Sequence, residues 1–258
     1  MKSILARSTP PSDAELVADA VCVMFGALVA LSNVSLSVRR REVLGVIGPN
    51  GAGKTTLVNC LTGFQRPSSG RVRLGGADLT GWNARQFSLA GIARTFQAGR
   101  LFKSVTVLEN VTAPLVAVGV ELKQAREQAM AMLAWFGLAD MVDRSAGTLP
   151  YTDARRVAIA RALVMAPIFL LLDEPAAGMT DAECEDLMRY VAEIPSLLNC
   201  GILLIEHNMR VVMGVSSRVH VLNGGSTLAE GQPKEIQEDP AVIGAYLGVA
   251  RDHKHTFA

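Results

Sequence analysis

The apolar positions change period several times along the chain, and each change predicts a different element. Residues 1–16 carry Ser8, Pro10, Pro11, Ser12 and Asp13 without any period, which predicts a mobile arm. From Ala20 the text becomes strand-like. Val21 and Val23 are followed by Val34, Leu36 and Val38 alternating with Ser35, Ser37 and Arg39, the pattern of an antiparallel edge with one face exposed. Val43-Leu44-Gly45-Val46-Ile47 is continuous instead, as expected of a parallel strand covered by helices on both faces. After residue 97 the period turns helical: Leu122, Ala125, Ala129, Met132, Leu133 and Phe136 mark one face of an amphipathic helix. A second helix fits Asp153–Met165, with Val157, Ala160, Leu163 and Val164 on its stripe. Together they predict a helical lobe over approximately 98–165. Phe169–Leu172 and Ile202–Ile205 return to buried strand, so the expected class is α/β.

Composition narrows the picture. The chain has 258 residues, 50% of them hydrophobic and 19% charged, which excludes global disorder and allows one large domain or two lobes. With 25 Lys+Arg against 24 Asp+Glu there is no long-range field to draw in polyanions, so nucleic acid is not expected as a partner and any phosphate must be held locally. Cys22, Cys60, Cys184 and Cys200 form no C-x-x-C pair, which argues against a zinc cage or a redox dithiol and suits buried thiols in a reducing compartment. The longest apolar run, Ala20 to Leu31, is shorter than the ~18 residues needed to cross a bilayer. The N-terminus also lacks the apolar segment of a secretory signal, so the chain is expected in the cytoplasm. So apolar a composition leaves room for an exposed patch that docks a partner.

The candidate chemistry begins where the buried strand ends. Gly48-Pro49-Asn50-Gly51-Ala52-Gly53-Lys54-Thr55 fits G-x-x-x-x-G-K-[ST], and the text from Thr56 continues as a helix. Glycines are required because backbone N–H groups must close around phosphate oxygens without a Cβ in the way, and the helix N-terminus adds partial positive charge. Lys54 can neutralise β- and γ-phosphate charge, and the Thr55 hydroxyl can ligate Mg2+. Phe169–Leu172 delivers Asp173 and Glu174 to the C-terminal edge of the sheet, where Asp173 can hold the metal and Glu174 can polarise water, unless one of them only caps the next helix. Ile202–Ile205 brings His207 to the same edge, either as a sensor of γ-phosphate and water or as a structural histidine. Gln97 is a neutral side chain able to reach metal or water where the helical lobe begins.

This ordered set resembles the ATP-binding subunits of ABC transporters, from about Ala20 to Gly248. The resemblance implies a P-loop NTPase of ABC ATPase type over residues 17–248: a mixed, mainly parallel sheet core, an antiparallel β subdomain and a helical lobe, followed by a tail at 249–258. It implies that Gly48 to Thr56 form Walker A, Gln97 the Q-loop, Leu170 to Glu174 Walker B with its catalytic glutamate, and His207 the switch histidine. ATP and Mg2+ follow as ligands, with Thr55, Gln97 and Asp173 toward the metal. Phe25 is similar to the aromatic that stacks on adenine, with an ordinary core Phe as the competing reading. Asn59-Cys60-Leu61-Thr62-Gly63, Arg94-Thr95-Phe96-Gln97, Asp173-Glu174-Pro175-Ala176-Ala177-Gly178 and Ala245-Tyr246-Leu247-Gly248 most resemble the branched-chain amino acid importer group. That likeness implies a peripheral place on the cytoplasmic face of the membrane, beneath permease subunits. It also implies pairing with a second ATP-binding subunit, and an indirect link to a periplasmic or extracellular binding protein.

The resemblance breaks at two places. Where the family has an LSGGQ-type signature, this chain reads Leu149-Pro150-Tyr151-Thr152-Asp153, and the D-loop position carries Thr180 in place of Asp. Pro150 removes a hydroxyl, Thr152 puts a branched side chain where glycine would let backbone approach phosphate, and Asp153 adds negative charge unless it only caps its helix. Two like charges ~5 Å apart repel by about 3 kcal/mol at an effective dielectric of ~20. The expectation is a heterodimer in which this subunit's own Walker A site hydrolyses ATP while the site it completes for its partner is weak. A nucleotide-dependent regulatory or scaffold module with little hydrolysis is the alternative, opposed by the intact Glu174 and His207. A small-molecule P-loop kinase comes last, lacking a lid and an acceptor base.

Overall fold

The computed structural model describes residues 14–96 and 99–252, with side chains as far as Tyr246. The alternation near the N-terminus forms a hairpin of β1 (Glu15–Phe25) and β2 (Leu28–Arg39), in which Leu16 faces Val38, Ala18 faces Leu36 and Val21 faces Val34. Leu16 is fully buried, so the sheet claims Glu15 and Leu16 from the expected arm; Ser and Pro at positions 8–12 obscured where the alternation begins. Residues 1–13 lie outside the described ones. After the buried β3 (Val43–Ile47) and α1 (Lys54–Leu61), β4 (Ser69–Leu74) and β5 (Ala77–Asp78) complete an antiparallel sheet of order β2-β1-β4-β5.

Helix α2 (Ala84–Leu89) leads into β6 (Ile92–Arg94), and the chain then enters the helical lobe: α3 (Val107–Ala117), α4 (Leu122–Trp135) and α5 (Tyr151–Leu163). Thr106 caps α3 through a reciprocal bond with Glu109, and the buried Asn110 amide ties α3 to the loop before it through Phe102 N and O. The α4 stripe is buried at Ala125, Ala129, Met132, Leu133 and Phe136, while Leu122 stays exposed in the first turn. Helix α5 starts at Tyr151 and ends at Leu163, shifted from the expected 153–165 because Pro150, with its fixed φ, serves as N-cap.

The chain then returns to the sheet with β7 (Phe169–Asp173), α6 (Asp181–Leu198), β8 (Gly201–Ile205), α7 (Met209–Val215) and β9 (Arg218–Asn223). Last come β10 (Ser226–Gly231), α8 (Pro233–Glu238) and α9 (Pro240–Asp252), whose backbone continues as helix beyond the expected boundary at 248. The main sheet has the order β10-β9-β3-β8-β7-β6 and is parallel except for the β9–β10 pair. Its continuous apolar strands serve two cores by alternation: Leu170, Leu172, Ile202 and Leu204 pack with the helical lobe and α6. Leu171, Leu203 and Ile205 face α1 and the antiparallel sheet. Cys60, Cys184 and Cys200 are buried thiols, and burial pushes Cys60 and Cys200 each up to about 12.

An ionic cluster fastens the β9–β10 end. Glu230 accepts from His220 Nδ1 at 2.6 Å and from Arg218 Nη1 at 2.8 Å, and Arg218 Nε also reaches Glu42 at 3.0 Å. The bond from the fully buried His220, and then the charges, hold the Glu230 carboxyl below its ordinary range. A depressed carboxylate contributes stability above its unfolded pKa, and that contribution is lost as pH falls through the folded value. Glu230→Gln is therefore expected to cost about 1 kcal/mol at neutral pH, with the difference from wild type shrinking in acid. Urea denaturation across pH 3–7 checks this; a pH-independent difference would exclude the ionic origin.

Candidate nucleotide-binding site

The phosphate loop lies between β3 and α1, and its glycines are there for geometric reasons. A Cβ on Gly48, at φ 152°, would stand 2.1 Å from Leu222 O of β9, and one on Gly53, at φ 99°, would meet Ala30 O and Leu31 at 2.7 Å. Asn50 and Gly51 form the exposed crest, Pro49 is half-buried and Ala52 is buried beneath them. Gly53 is the left-handed N-cap of α1 and supplies no side-chain cap, so the first-turn N–H groups, including that of Thr56, are left for an anion. Lys54 is 6% exposed and donates from Nζ to Gly48 O at 2.7 Å and Pro49 O at 3.0 Å. Burial draws its pKa down, opposed by the charges of Glu174 and Asp173. Tyr246 of α9 also bonds the backbone of Gly48.

The carboxylates arrive as expected at the end of β7. Asp173 pairs along the sheet with Ile205, which sets the β7 and β8 ends side by side. Glu174 follows in a left-handed conformation, φ 49°, and its N–H donates to Ile205 O at 2.9 Å. A non-glycine residue held there stores strain, which the surrounding hydrogen bonds impose. His207 Nε2 lies 2.5 Å from Glu174 Oε1, so imidazole and carboxylate act on each other directly. Thr55 and Asp173 line one open hollow of about 760 Å3 together with Asn59, Arg94 and Tyr151. Lys54, Asp173, Glu174 and His207 thus converge, whereas Gln97 lies outside the described residues. Phe25 closes the β1–β2 hairpin at 50% exposure among the exposed Met24, Leu28 and Val29, so it is not a core residue, and the same hairpin passes the phosphate loop at Ala30 and Leu31.

Several residues around the site are not singled out by the sequence analysis. Glu206, 3% exposed, accepts from Ala176 N, His207 N and Asn208 N, linking the segment after Glu174 to the His207 turn; burial pushes its carboxyl up against those bonds. Arg155 Nη1 donates to Phe96 O at 3.1 Å, and Arg161 donates to Gly99 O at 2.8 Å and Arg100 O at 2.9 Å, so α5 grips both sides of positions 97 and 98. Arg94 binds Asp173. An arginine ending an apolar strand next to the carboxylate strand was the available clue for that contact.

The signature position requires a correction. Asp153 was expected to confront a neighbour's phosphate, but its side chain is 9% exposed and ion-paired with Arg156 at 2.7 Å, so its charge is compensated inside the lobe. Nor does it cap α5, whose N-cap is Pro150 without a side-chain bond. Thr152 Oγ1 donates to Glu183 Oε1 at 2.5 Å, and the other oxygen of Glu183 accepts from Thr180 N at 2.8 Å and Thr180 Oγ1 at 2.9 Å. The two departures from the family pattern therefore share one carboxylate, whose pKa is lowered first by the Thr152 bond.

Residues 31–177 match the ABC transporter family, and residues 226–252 match the family described as branched-chain amino acid ATP-binding cassette transporter. The chain is 44% identical over 253 residues to the high-affinity branched-chain amino acid transport ATP-binding protein LivG of Salmonella typhimurium, covering 91% of this chain and 98% of that protein. BraF of Pseudomonas aeruginosa, named likewise, is 42% identical over 88% of this chain and 94% of its own. The fold superposes on the ADP conformation of MJ1267, an ATP-binding cassette of an ABC transporter, with TM-score 0.83, 32% identity and coverage of 91% and 99%. With likeness of this extent running through both sheets, the helical lobe and the phosphate loop, the chain belongs to the ATP-binding subunits of ABC transporters and is most like those of branched-chain amino acid transport.

Proposed function

We propose that this chain binds and hydrolyses ATP to drive an importer of branched-chain or other hydrophobic amino acids. The observation that carries the proposal is the convergence of Lys54, Glu174 and His207 at one sheet edge, with Glu174 and His207 in direct contact. Lys54 and the α1 N-terminus take the triphosphate charge, and Phe25 offers a face to the base. Glu174 accepts the proton of the attacking water, while His207 orients that carboxylate and senses the γ-phosphate. The donors fit a hard divalent cation: the Thr55 hydroxyl and the Asp173 carboxylate line the same hollow, and oxygen ligands suit Mg2+. Gln97 is assigned as a further ligand. When bound, Mg2+ offsets charge between the β- and γ-phosphates.

Family membership brings permease subunits as partners, and among the described residues no helix is long and apolar enough to cross a membrane. The chain is assigned to the cytoplasmic face, linked to a binding protein only through the permease. Pro150, Thr152 and Thr180 support pairing with a different ATP-binding subunit, because the Thr152 and Thr180 hydroxyls are spent on Glu183. The charge of Asp153 no longer enters that argument. ATPase assays of the purified chain, alone and with its permease and partner subunit, test the pairing. Slow turnover alone and fast turnover in the complex are expected; brisk, cooperative hydrolysis by the chain alone would overturn the heterodimer.

A further inference from the structure

We infer that Arg94 is the resident counter-cation of Asp173: it holds that carboxylate between metal-binding events and sets the Mg2+ concentration at which nucleotide loads. The inference rests on the assignment of Asp173 as a metal ligand. Arg94 ends β6 in register with Leu171 of β7, which aims its side chain toward the last residue of that strand. Its Nη2 donates to Asp173 Oδ2 at 2.7 Å and its Nη1 to Asn59 Oδ1 of α1 at 2.5 Å. The two charged side chains are only 6% and 9% exposed. The guanidinium carbon lies 4.9 Å from the Phe96 ring centre and 5.7 Å from that of Phe64, two aromatic contacts that help hold it in place. One group spans the phosphate-loop helix, the carboxylate strand and the segment leading to Gln97.

Packing alone does not explain this arrangement. Arg94 Nε is buried without a partner, an unfavourable feature that an apolar side chain of similar volume would not carry. A guanidinium stays protonated at any physiological pH, so it cannot be titrated away from the carboxylate. At 2.7 Å its charge offsets that of Asp173 and repels a divalent cation approaching the same group. The carboxylate is therefore kept paired, and metal must compete for it.

The test uses the full chain with ADP as ligand, reading nucleotide binding across a Mg2+ titration and thermal unfolding with and without Mg2+. Arg94→Met, or the milder neutral Arg94→Gln should Arg94→Met fail to fold, is expected to lower the half-saturating Mg2+ about tenfold. Its unfolding temperature should fall without Mg2+ and recover in part with it, since a ligand bound more tightly by the folded state stabilises that state more. Arg94→Lys, which keeps the charge, should titrate close to wild type. A purely structural arginine gives the opposite pattern: an unfolding deficit equal with and without Mg2+, and an unchanged half-saturating concentration, which overturns the inference. Arg94→Lys matching Arg94→Met would overturn it too. Asp173→Asn separates the two levels. If it leaves the Mg2+ dependence of binding unchanged, the metal-ligand assignment fails and takes the inference with it; if it weakens that dependence while the neutral Arg94 variants do not move it, only the inference fails.

Discussion

Glu174→Gln is expected to reduce ATP turnover by about 10²- to 10⁴-fold while leaving ATP binding intact, the loss that follows removal of a general base. In activation terms this is about 3–5.5 kcal/mol. The structure explains why so small a change should be confined to chemistry. Glu174 is held by its own backbone, with φ 49° and an N–H bond to Ile205 O, so an isosteric amide can occupy the same strained position. What it cannot do is accept a proton from water beside His207, the role proposed for Glu174, whose Oε1 lies 2.5 Å from His207 Nε2. Filter binding of labelled ATP, with single-turnover phosphate release, checks both halves. Normal phosphate release by this variant would remove Glu174 as the base.

The second large effect is expected at Gly48. Alanine there places a Cβ 2.1 Å from Leu222 O, which belongs to strand backbone and cannot move aside. Gly48 also supplies the carbonyl that receives Lys54 Nζ. The loop must therefore shift, at a cost of about 2–3 kcal/mol in stability and at least about tenfold in ATP affinity. Gly51→Ala is the control: its φ of 79° is also left-handed, but no atom lies within 4 Å of the added carbon, so only about 1 kcal/mol of backbone strain is expected. Denaturant unfolding and titration with a fluorescent ATP analogue compare the two. Equal losses at Gly48 and Gly51 would show that torsional strain, not contact with β9, governs the loop.

Much of this site was legible because its parts are local. Lys54 follows its glycines directly, and Asp173 with Glu174 follows an apolar strand whose direction places them at one edge. Phe25 was ambiguous in the sequence, since an exposed and a core aromatic read alike, and only its half-exposed place at the hairpin tip removed the core reading. Asp153 misled because its neutralising partner, Arg156, becomes a neighbour only once the residues are wound on a helix. Thr152 and Thr180 were noticed separately as departures; that both bond Glu183 depends on how α5 meets α6.

By itself the sequence determined the buried strands β3, β7 and β8, the helices α4 and α5, the phosphate loop, and the place of Asp173 and Glu174 at a strand end, because hydrophobic period and turn chemistry act over a few residues. The tertiary structure alone decided which charges meet. Arg94 reaches Asp173 across 79 positions, Glu174 meets His207 across 33, and Glu206 gathers Ala176 across 30, all through the side-by-side placement of β6, β7 and β8. Charge interactions depend on distance and burial, and neither is a property of chain separation.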